Sequence, residues 1–549
     1  MRSDIRNALL LGCVAVAFIG AEATAEPRVG NTSVIGPFTG PQAKLHPDNV
    51  SPFPIEYYGT DLGFSYGHQG QVRFLFGDTI ANDKGEPIQA STAKRYDDMI
   101  GSVDLAQWNR PETFSKGNIP VIKLLQNPNS RETAALDPGH PLELFKTPLG
   151  GFSNGEREFG VFFTYKPKAC AADSDCLNGS TCDTGVGYVG PAWNDEEGLT
   201  FGCVDGSSPY CNASTLNDAA GKPVESGLCI DRSASNYGAA PLGRTGALSV
   251  KNLIGMRDLQ DPRKYSRDHE WYTSKFMNPS IRTVSAFQPR QADKAFEPDY
   301  RPAQKAGGDA RVFIWGRPHF IGVNKIGRTL SQYFAYVDLP AGPGYAWKPQ
   351  YFAGLGADGL PTFSPNEADA NPVDMDASKP GVQAADEYDI VNQTSLAWVP
   401  QLSKWVMFFG GGVVTTPLPA LPNCGILELF AGADCKLVNL DNGTFRMRTA
   451  DNPWGPWSPG QPLIAEGDPA VPKGQFGPGG MLHHPDCKDP SCAPIDQAPE
   501  RVPGEVGYLY APNIVEQWIR PAGDGVDIIW NASTWAPYRV ILLRTHISR

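Results

Sequence analysis

Apolar residues in this chain come in short bursts, rich in aromatic and β-branched side chains and closed by glycine, proline or charged positions. Val72–Phe76, Phe159–Tyr165, Arg311–Trp315, Trp405–Phe409 and Val506–Tyr510 are the clearest of these. Bursts of that length and composition predict strands, and the punctuation around them leaves little room for long helices. Companion strands are expected at Thr394–Val399, Ser331–Leu339, Asp527–Ala532 and Tyr538–Thr545. Thr394–Val399 and Trp405–Phe409 flank Pro400 to Lys404, a connection short enough for an antiparallel hairpin. Similar strand groups recurring along the whole chain suggest radially repeated sheets. The expected fold is all-β, a five-bladed β-propeller whose apolar C-terminal run supplies a closing strand. A pair of β-sandwiches is the rival, but it would demand two domains, and no linker divides the chain.

Composition sharpens this picture. The 549 residues include 59 Gly and 50 Pro, consistent with frequent turns, and 41% are hydrophobic, enough for a sizeable core. A formal charge of -12 argues against an electrostatic hold on nucleic acid or an anionic membrane. Ala8–Gly20 is an apolar run behind Arg2 and Arg6 and leads to Ala23-Thr24-Ala25, so residues 1–25 are expected to be a secretory signal cleaved before Glu26. Leu11-Gly12-Cys13 is poorly placed for a lipoprotein signal. No later apolar run is long enough to cross a bilayer. The remainder, 26–549, is expected to be one secreted or periplasmic domain.

Of the 11 cysteines, all but Cys13 lie beyond the signal. Their close spacing suits an oxidising compartment. Cys424 with Cys435 and Cys487 with Cys492 are natural pairs, whereas Cys170, Cys176, Cys182, Cys203, Cys211 and Cys229 leave 15 pairings open. His483 and His484 beside Cys487 raise the question of zinc, but the paired spacings of structural zinc modules are missing, and no metal or cofactor is expected. The segment 170–229 is poor in aliphatic residues and reads as a disulfide-held insertion on a blade loop. Pro365–Ala385 and Pro485–Pro503 read as surface excursions.

The sharpest local feature is Gly59-Thr60-Asp61-Leu62-Gly63 followed by Gln71 through Gly77-Asp78-Thr79. A hairpin turning at Tyr66–Gly70 would bring Asp61 and Asp78 to one sheet edge. Glycosidic bond cleavage needs two such groups, an acid to protonate the leaving oxygen and a carboxylate to activate water or attack carbon. The plainer alternative is a turn in which Asp78 accepts backbone N–H bonds. Serine-nucleophile elbows, zinc-protease motifs and nucleotide-binding glycine loops are absent from the sequence.

The stretch Gly59–Thr79 resembles the opening of a family of secreted bacterial proteins, long known as a domain of unknown function, that includes the five-bladed β-propeller endo-D-arabinanases. The similarity extends to Asn154-Gly155 before Phe159–Thr164, to Tyr388 through Gly412, to Arg446–Ala450 with Pro453–Ser458, and to Trp530–Tyr538. The resemblance implies that Asp61 and Asp78 hydrolyse an α-linked furanosidic bond in a polysaccharide such as D-arabinan. The six-cysteine insertion departs from the simplest members. A non-enzymatic glycan-binding propeller is the alternative function, and a protein-binding scaffold is a third.

Other polar residues are ranked around the pair. Asp98 could be a third acid that tunes it. Asn154 and Glu156 precede a strand and could meet sugar hydroxyls, and Glu156 is also a runner-up general acid; both are equally plain turn residues. Arg317 and His319 follow Arg311–Trp315, Asp389 and Asn392 precede Thr394–Val399, and His483 follows a glycine-rich stretch. All five could line a rim. Tyr510 could stack on a sugar face, or simply pack within its blade. The sequence leaves the oligomeric state open.

Overall fold

The computed structural model describes residues 26–39, 56–82, 94–96, 98–115, 117–126, 147–177, 180–183, 193–194, 198–199, 216–217, 223–224, 227–231, 238–239, 244–245, 247–276, 278–285, 310–316, 332–339, 346–373, 394–410, 445–464, 508–535 and 539–549. Five antiparallel sheets of four or five strands form the blades of a propeller. Blade 1 starts on the axis with Glu56–His68, followed outward by Gln71–Asn82, Met99–Asp104 and Lys123–Leu124. Blade 2 runs Thr147–Ser153, Glu158–Pro167, Val250–Arg257 and Tyr265–Thr273. Ser280–Ser285 begins blade 3, which continues through Ala310–Gly316, Tyr333–Leu339, Gln350–Leu355 and Pro361–Ser364. Blade 4 consists of Ser395–Val399, Lys404–Gly410, Phe445–Ala450 and Gln461–Ile464.

Blade 5 closes the ring from both ends of the chain. Its inner strands are Tyr508–Ile514, Gly525–Trp535 and Arg539–Ser548, and its outermost strand is Arg28–Pro37. The C-terminal run is therefore the third strand rather than the last. Arg28–Pro37 has few consecutive apolar residues, because much of it faces solvent, and so it carries no strong strand signature. Two bulges keep it in register with Arg539–Ser548, and the Thr32 and Thr545 hydroxyls meet at 2.8 Å beneath it.

The core lies between blades, as expected of sheets stacked around an axis. Phe159, Val161 and Phe163 of blade 2 pack on Val312, Ile314 and Val337 of blade 3. Phe313 and Trp315 meet Trp405 and Met407 at the next junction. Phe408 and Phe445 then pack edge-on to Trp530, and Phe74 and Phe76 reach Trp518 and Ile529 where blade 1 meets blade 5. Tyr66, Leu75 and Ile100 complete the circle against Phe162 and Leu253. The aromatic bursts in the sequence are these blade-to-blade faces.

The cysteine-rich insertion grows from blade 2. Cys170 pairs with Cys182 and Cys176 with Cys229, two of the pairings the sequence left open. Gly227–Asp231 pairs with Ala169–Cys170, Thr181–Asp183 and Ala247–Leu248. The Cys229 N–H donates to the Lys168 carbonyl, and the Ser249 N–H donates to that of Cys229. The insertion thus prolongs the ladder of the blade. Cys203, Cys211, Cys424, Cys435, Cys487 and Cys492 lie outside the described residues.

Candidate functional site

The innermost strands of the five blades neighbour one another in a closed ring around the axis. They run in a common direction. Ends meet ends, as where His68 Nδ1 lies 2.7 Å from Ser153 Oγ, and beginnings meet beginnings, as where the Ser280 and Thr394 hydroxyls lie 2.9 Å apart. The axis therefore has an entry end, where inner strands start, and an exit end, where they turn outward. Asp61 belongs to the entry end.

Its backbone is unusual. The pairing of Glu56–His68 with Gln71–Asn82 slips on both sides of Asp61, and Leu62 and Gly63 adopt left-handed conformations at φ 66° and 72°. The bulge is fixed from blade 5. Ser533 Oγ accepts from the Leu62 N–H at 2.6 Å, and the Asn513 and Asn531 side-chain amides donate to the Gly63 carbonyl at 3.1 and 2.9 Å. Thr60 Oγ1 donates to the Gly77 carbonyl at 2.7 Å, tying the bulge to its own blade. Bulges of this kind re-aim a side chain that regular pleating would leave in the ladder.

The Asp61 carboxylate, only 6% exposed, accepts a 2.5 Å hydrogen bond from Tyr510 Oη of blade 5. Of the two readings the sequence left for Tyr510, a sugar platform or packing within its blade, the structure shows a buried ring whose hydroxyl donates to Asp61. Directly across the ladder from Asp61 stands Gly77, and a β-carbon there would lie 2.8 Å from Asp61 Oδ1. The missing side chain makes room for the carboxylate. On the other side of Gly77 is the entry to Met99–Asp104. Met99 pairs with Phe76, so Asp98, buried at 6% exposure, flanks Gly77 opposite Asp61. The three-strand row Asp61, Gly77, Asp98 is not apparent from the sequence, because it depends on the bulge.

Asp78 follows Gly77 in the strand, one position beyond the residue directly opposite Asp61; its side chain lies outside the described residues. Arg317, His319, Asp389, Asn392 and His483 also lie outside them.

Asn154 and Glu156 sit at the exit end, about 20 Å along the strand direction from Asp61 given the rise of seven residues from Asp61 to His68. Asn154 Oδ1 accepts from the Glu156 and Arg157 N–H groups at 3.0 and 2.8 Å, which closes the hairpin of blade 2. Glu156 is exposed. The structure therefore does not bring these two together with Asp61.

A charged cluster that sequence reading missed lies beside them. Glu158, with a side chain 1% exposed, accepts from Tyr66 Oη at 2.9 Å and Arg73 Nε at 2.9 Å, pairs with Arg257, and lies 3.3 Å from His68 Nε2. Burial, then the guanidiniums of Arg73 and Arg257, push His68 down to about 4. The two cations outweigh the single carboxylate, so the ring is neutral near pH 7. Burial also raises Tyr66 well above the usual phenol range and pushes Tyr265 up to about 12. The cluster joins blades 1 and 2 at the exit end. Its members come from strands far apart in sequence, which left no local motif to find.

Arg282 crosses the axis between the ends. It donates to the Leu396 carbonyl of blade 4, to Ser395 Oγ at 2.7 Å and to the Ile514 carbonyl of blade 5 at 3.2 Å. Below it a recess is lined by His68, Gln69, Ser153, Glu516 and Gln517. Burial raises Glu516 above the usual carboxylate range, opposed by Arg282 at 3.5 Å. Among the described residues, the clustered potential metal ligands are the sulfurs of Cys170, Cys176 and Cys229, and all three are committed to disulfides.

No family model and no curated protein matches this chain. Solved structures with a similar fold include a protein of Bacteroides ovatus, at TM-score 0.39 and 8% identity over 89% of this chain and 86% of that one. RS223 β-xylosidase aligns at TM-score 0.32 and 8% identity, covering 89% of this chain and 92% of its own. An α-L-arabinofuranosidase of Podospora anserina does so at TM-score 0.32 and 11% identity, covering 94% and 98%. Likenesses this distant transfer neither an activity nor a residue's role.

Proposed function

We propose that the protein is an exported glycoside hydrolase that cleaves furanosidic bonds within a polysaccharide such as D-arabinan. The observation that carries this reading is the Asp61 carboxylate, turned by a backbone bulge at the entry end of the propeller axis and held there by the Tyr510 hydroxyl at 2.5 Å. Asp61 accepts from a tyrosine 449 residues away, on a different blade.

Hydrolysis asks for a second group that carries a proton. Asp78 is assigned that part on the strength of the sequence resemblance and of its place next to Gly77. Asp98, beyond Gly77, is assigned the tuning of the pair. Two carboxyl groups sharing a site do not both stay charged cheaply, so their proximity divides the roles of acid and base. No cofactor enters this chemistry. The insertion leaves blade 2 at Pro167 and returns at Val250, the end of that blade remote from Glu158 and thus the entry end. It therefore leaves the blade at the same end of the axis as Asp61.

The test is incubation of the purified, disulfide-intact protein with D-arabinan, L-arabinan and xylan, beside Asp61→Asn and Asp78→Asn variants, with new reducing ends followed over time. Release from one polysaccharide that both variants lose supports the assignment. Binding without release by the wild type would establish a glycan-binding propeller in its place.

A further inference from the structure

Tyr510 and Asp61 are placed by matching distortions. Each lies just before a non-glycine residue in the left-handed region, Ala511 at φ 50° and Leu62 at φ 66°. Each of these residues also borders a register shift, between Tyr510 and Asn513 on one strand and around Leu62 on the other. Non-glycine residues persist in that region only where their surroundings over-determine them, and such strain collects at functional sites. The seam that imposes it is dense, with Ser533 accepting from the Leu62 N–H and Asn513 and Asn531 both donating to Gly63. Packing alone would not require two opposed bulges. Their joint effect is to bring one hydroxyl to one carboxylate.

The Tyr510 hydroxyl donates to Asp61 Oδ2 from the neighbouring blade. A donor placed on a carboxylate favours its charged form.

We infer that Tyr510 is a positioning residue that fixes Asp61 as the ionised member of the carboxylate pair, so that the proton for the leaving oxygen must come from a different acid. This rests on the hydrolase reading for its chemistry, though the coupling of Tyr510 to Asp61 does not. In the reaction the bond from the anomeric carbon to the glycosidic oxygen breaks, its electron pair stays on that oxygen, and the oxygen takes the proton of the acid. Water supplies a hydroxyl to the anomeric carbon, and its remaining proton restores the acid. Asp61 enters the reaction ionised and never delivers the proton to the leaving oxygen.

The first measurement needs no substrate. The 13C signal of the Asp61 carboxyl, identified by its loss in Asp61→Asn, is followed against pH in the wild type and in Tyr510→Phe. The midpoint is expected at higher pH in Tyr510→Phe, and an unchanged midpoint overturns the inference. Ser533→Ala, which loosens the same seam without touching the carboxylate, is the structural control; a shift in it as large as that in Tyr510→Phe also overturns the inference.

On the polysaccharide cleaved by the wild type, Tyr510→Phe should lower kcat roughly ten- to a hundredfold, the worth of one hydrogen bond to a charged group, with little change in KM. The acid limb of its pH profile should move upward with the carboxyl midpoint. A raised KM with kcat intact would assign Tyr510 to sugar binding and overturn the inference. A shifted midpoint in a protein that cleaves no glycan would uphold the coupling and sink the hydrolase reading, so the two failures are distinguishable.

Discussion

Tyr510 Oη and Asp61 Oδ2 stand 2.5 Å apart across the seam where the last blade of the propeller meets the first. Side-chain to backbone bonds hold that seam near the axis, and the ring itself closes within blade 5, where Arg28–Pro37 joins Arg539–Ser548. The candidate site therefore sits beside the blade that closes the fold. Its geometry depends on correct closure, because Tyr510 belongs to that blade and Asp61 to the next.

Gly77 is the position most sensitive to a single added carbon. A β-carbon there would lie 2.8 Å from both Asp61 Oδ1 and Leu62 Cδ1. Leu62 is already held at φ 66° and Asp61 by Tyr510, so neither can retreat easily. Gly77→Ala is expected to cost about 1–3 kcal/mol by overpacking and to abolish polysaccharide cleavage. Urea denaturation and reducing-end release would be measured together. Retained cleavage would mean that the carboxylate does not need the space.

Glu158 binds two guanidiniums inside the junction of blades 1 and 2. Glu158→Gln leaves the charges of Arg73 and Arg257 facing each other with side chains only 12% exposed. Breaking a buried pair in this way costs about 3–5 kcal/mol. The expected result is a lower urea midpoint with kcat nearly unchanged at temperatures where the variant stays folded, because the cluster lies at the axial end opposite Asp61. Adding Arg257→Met should recover part of the loss. A double variant no more stable than the single one would mean that the penalty is not the uncompensated charge.

The five aromatic bursts fell one to a blade, because in a propeller each blade must bury both faces of a short strand and the residues that do so are large and contiguous. Val72–Phe76, Phe159–Tyr165, Arg311–Trp315 and Trp405–Phe409 are parts of the second strands of blades 1 to 4. Val506–Tyr510 leads instead into the innermost strand of blade 5. What stayed hidden has a common cause. The role of Tyr510, the row Asp61–Gly77–Asp98 and the Glu158 cluster each depend on register shifts or on contacts between distant strands, and neither leaves a periodic mark. At Asn154 an Asn-Gly pair before a strand suits a sugar contact and a hairpin turn equally, and its side-chain oxygen accepts the two N–H groups that close the turn.

His68 makes stability depend on acidity. Its folded form is held at about 4 against an ordinary 6.5, so as pH falls through 6.5 the unfolded chain takes up the proton first. The stabilisation is complete above pH 6.5 and is lost progressively down to about 4. In His68→Gln the urea midpoint should vary less steeply with pH between 6.5 and 4 than in the wild type. Equal slopes in the two proteins would show that the imidazole is protonated in the folded state over that range.

The insertion should behave as a separately stabilised unit. Cys176 and Cys229 are 53 residues apart in sequence and Cys170 and Cys182 are 12 apart, and loops of those lengths correspond to about 4 and 3 kcal/mol of chain entropy removed from the unfolded state. The described part of the segment adds few buried apolar side chains of its own, Cys170 and Cys229 among them, so the bridges carry most of its stability. A chemical reductant would attack every cystine in the chain, whereas Cys176→Ser with Cys229→Ser removes one. That double variant is expected to be cut by protease between residues 171 and 248 at low enzyme concentration, while the thermal transition of the five blades moves little. The reason is that blade 2 keeps its own pairing of Glu158–Pro167 with Val250–Arg257 beneath the insertion. Cleavage should also change the rate of polysaccharide hydrolysis, because the insertion leaves the blade at the Asp61 end of the axis. A large fall in the main thermal transition would show instead that the Lys168–Cys229–Ser249 ladder is integral to blade 2 and that the insertion folds with it.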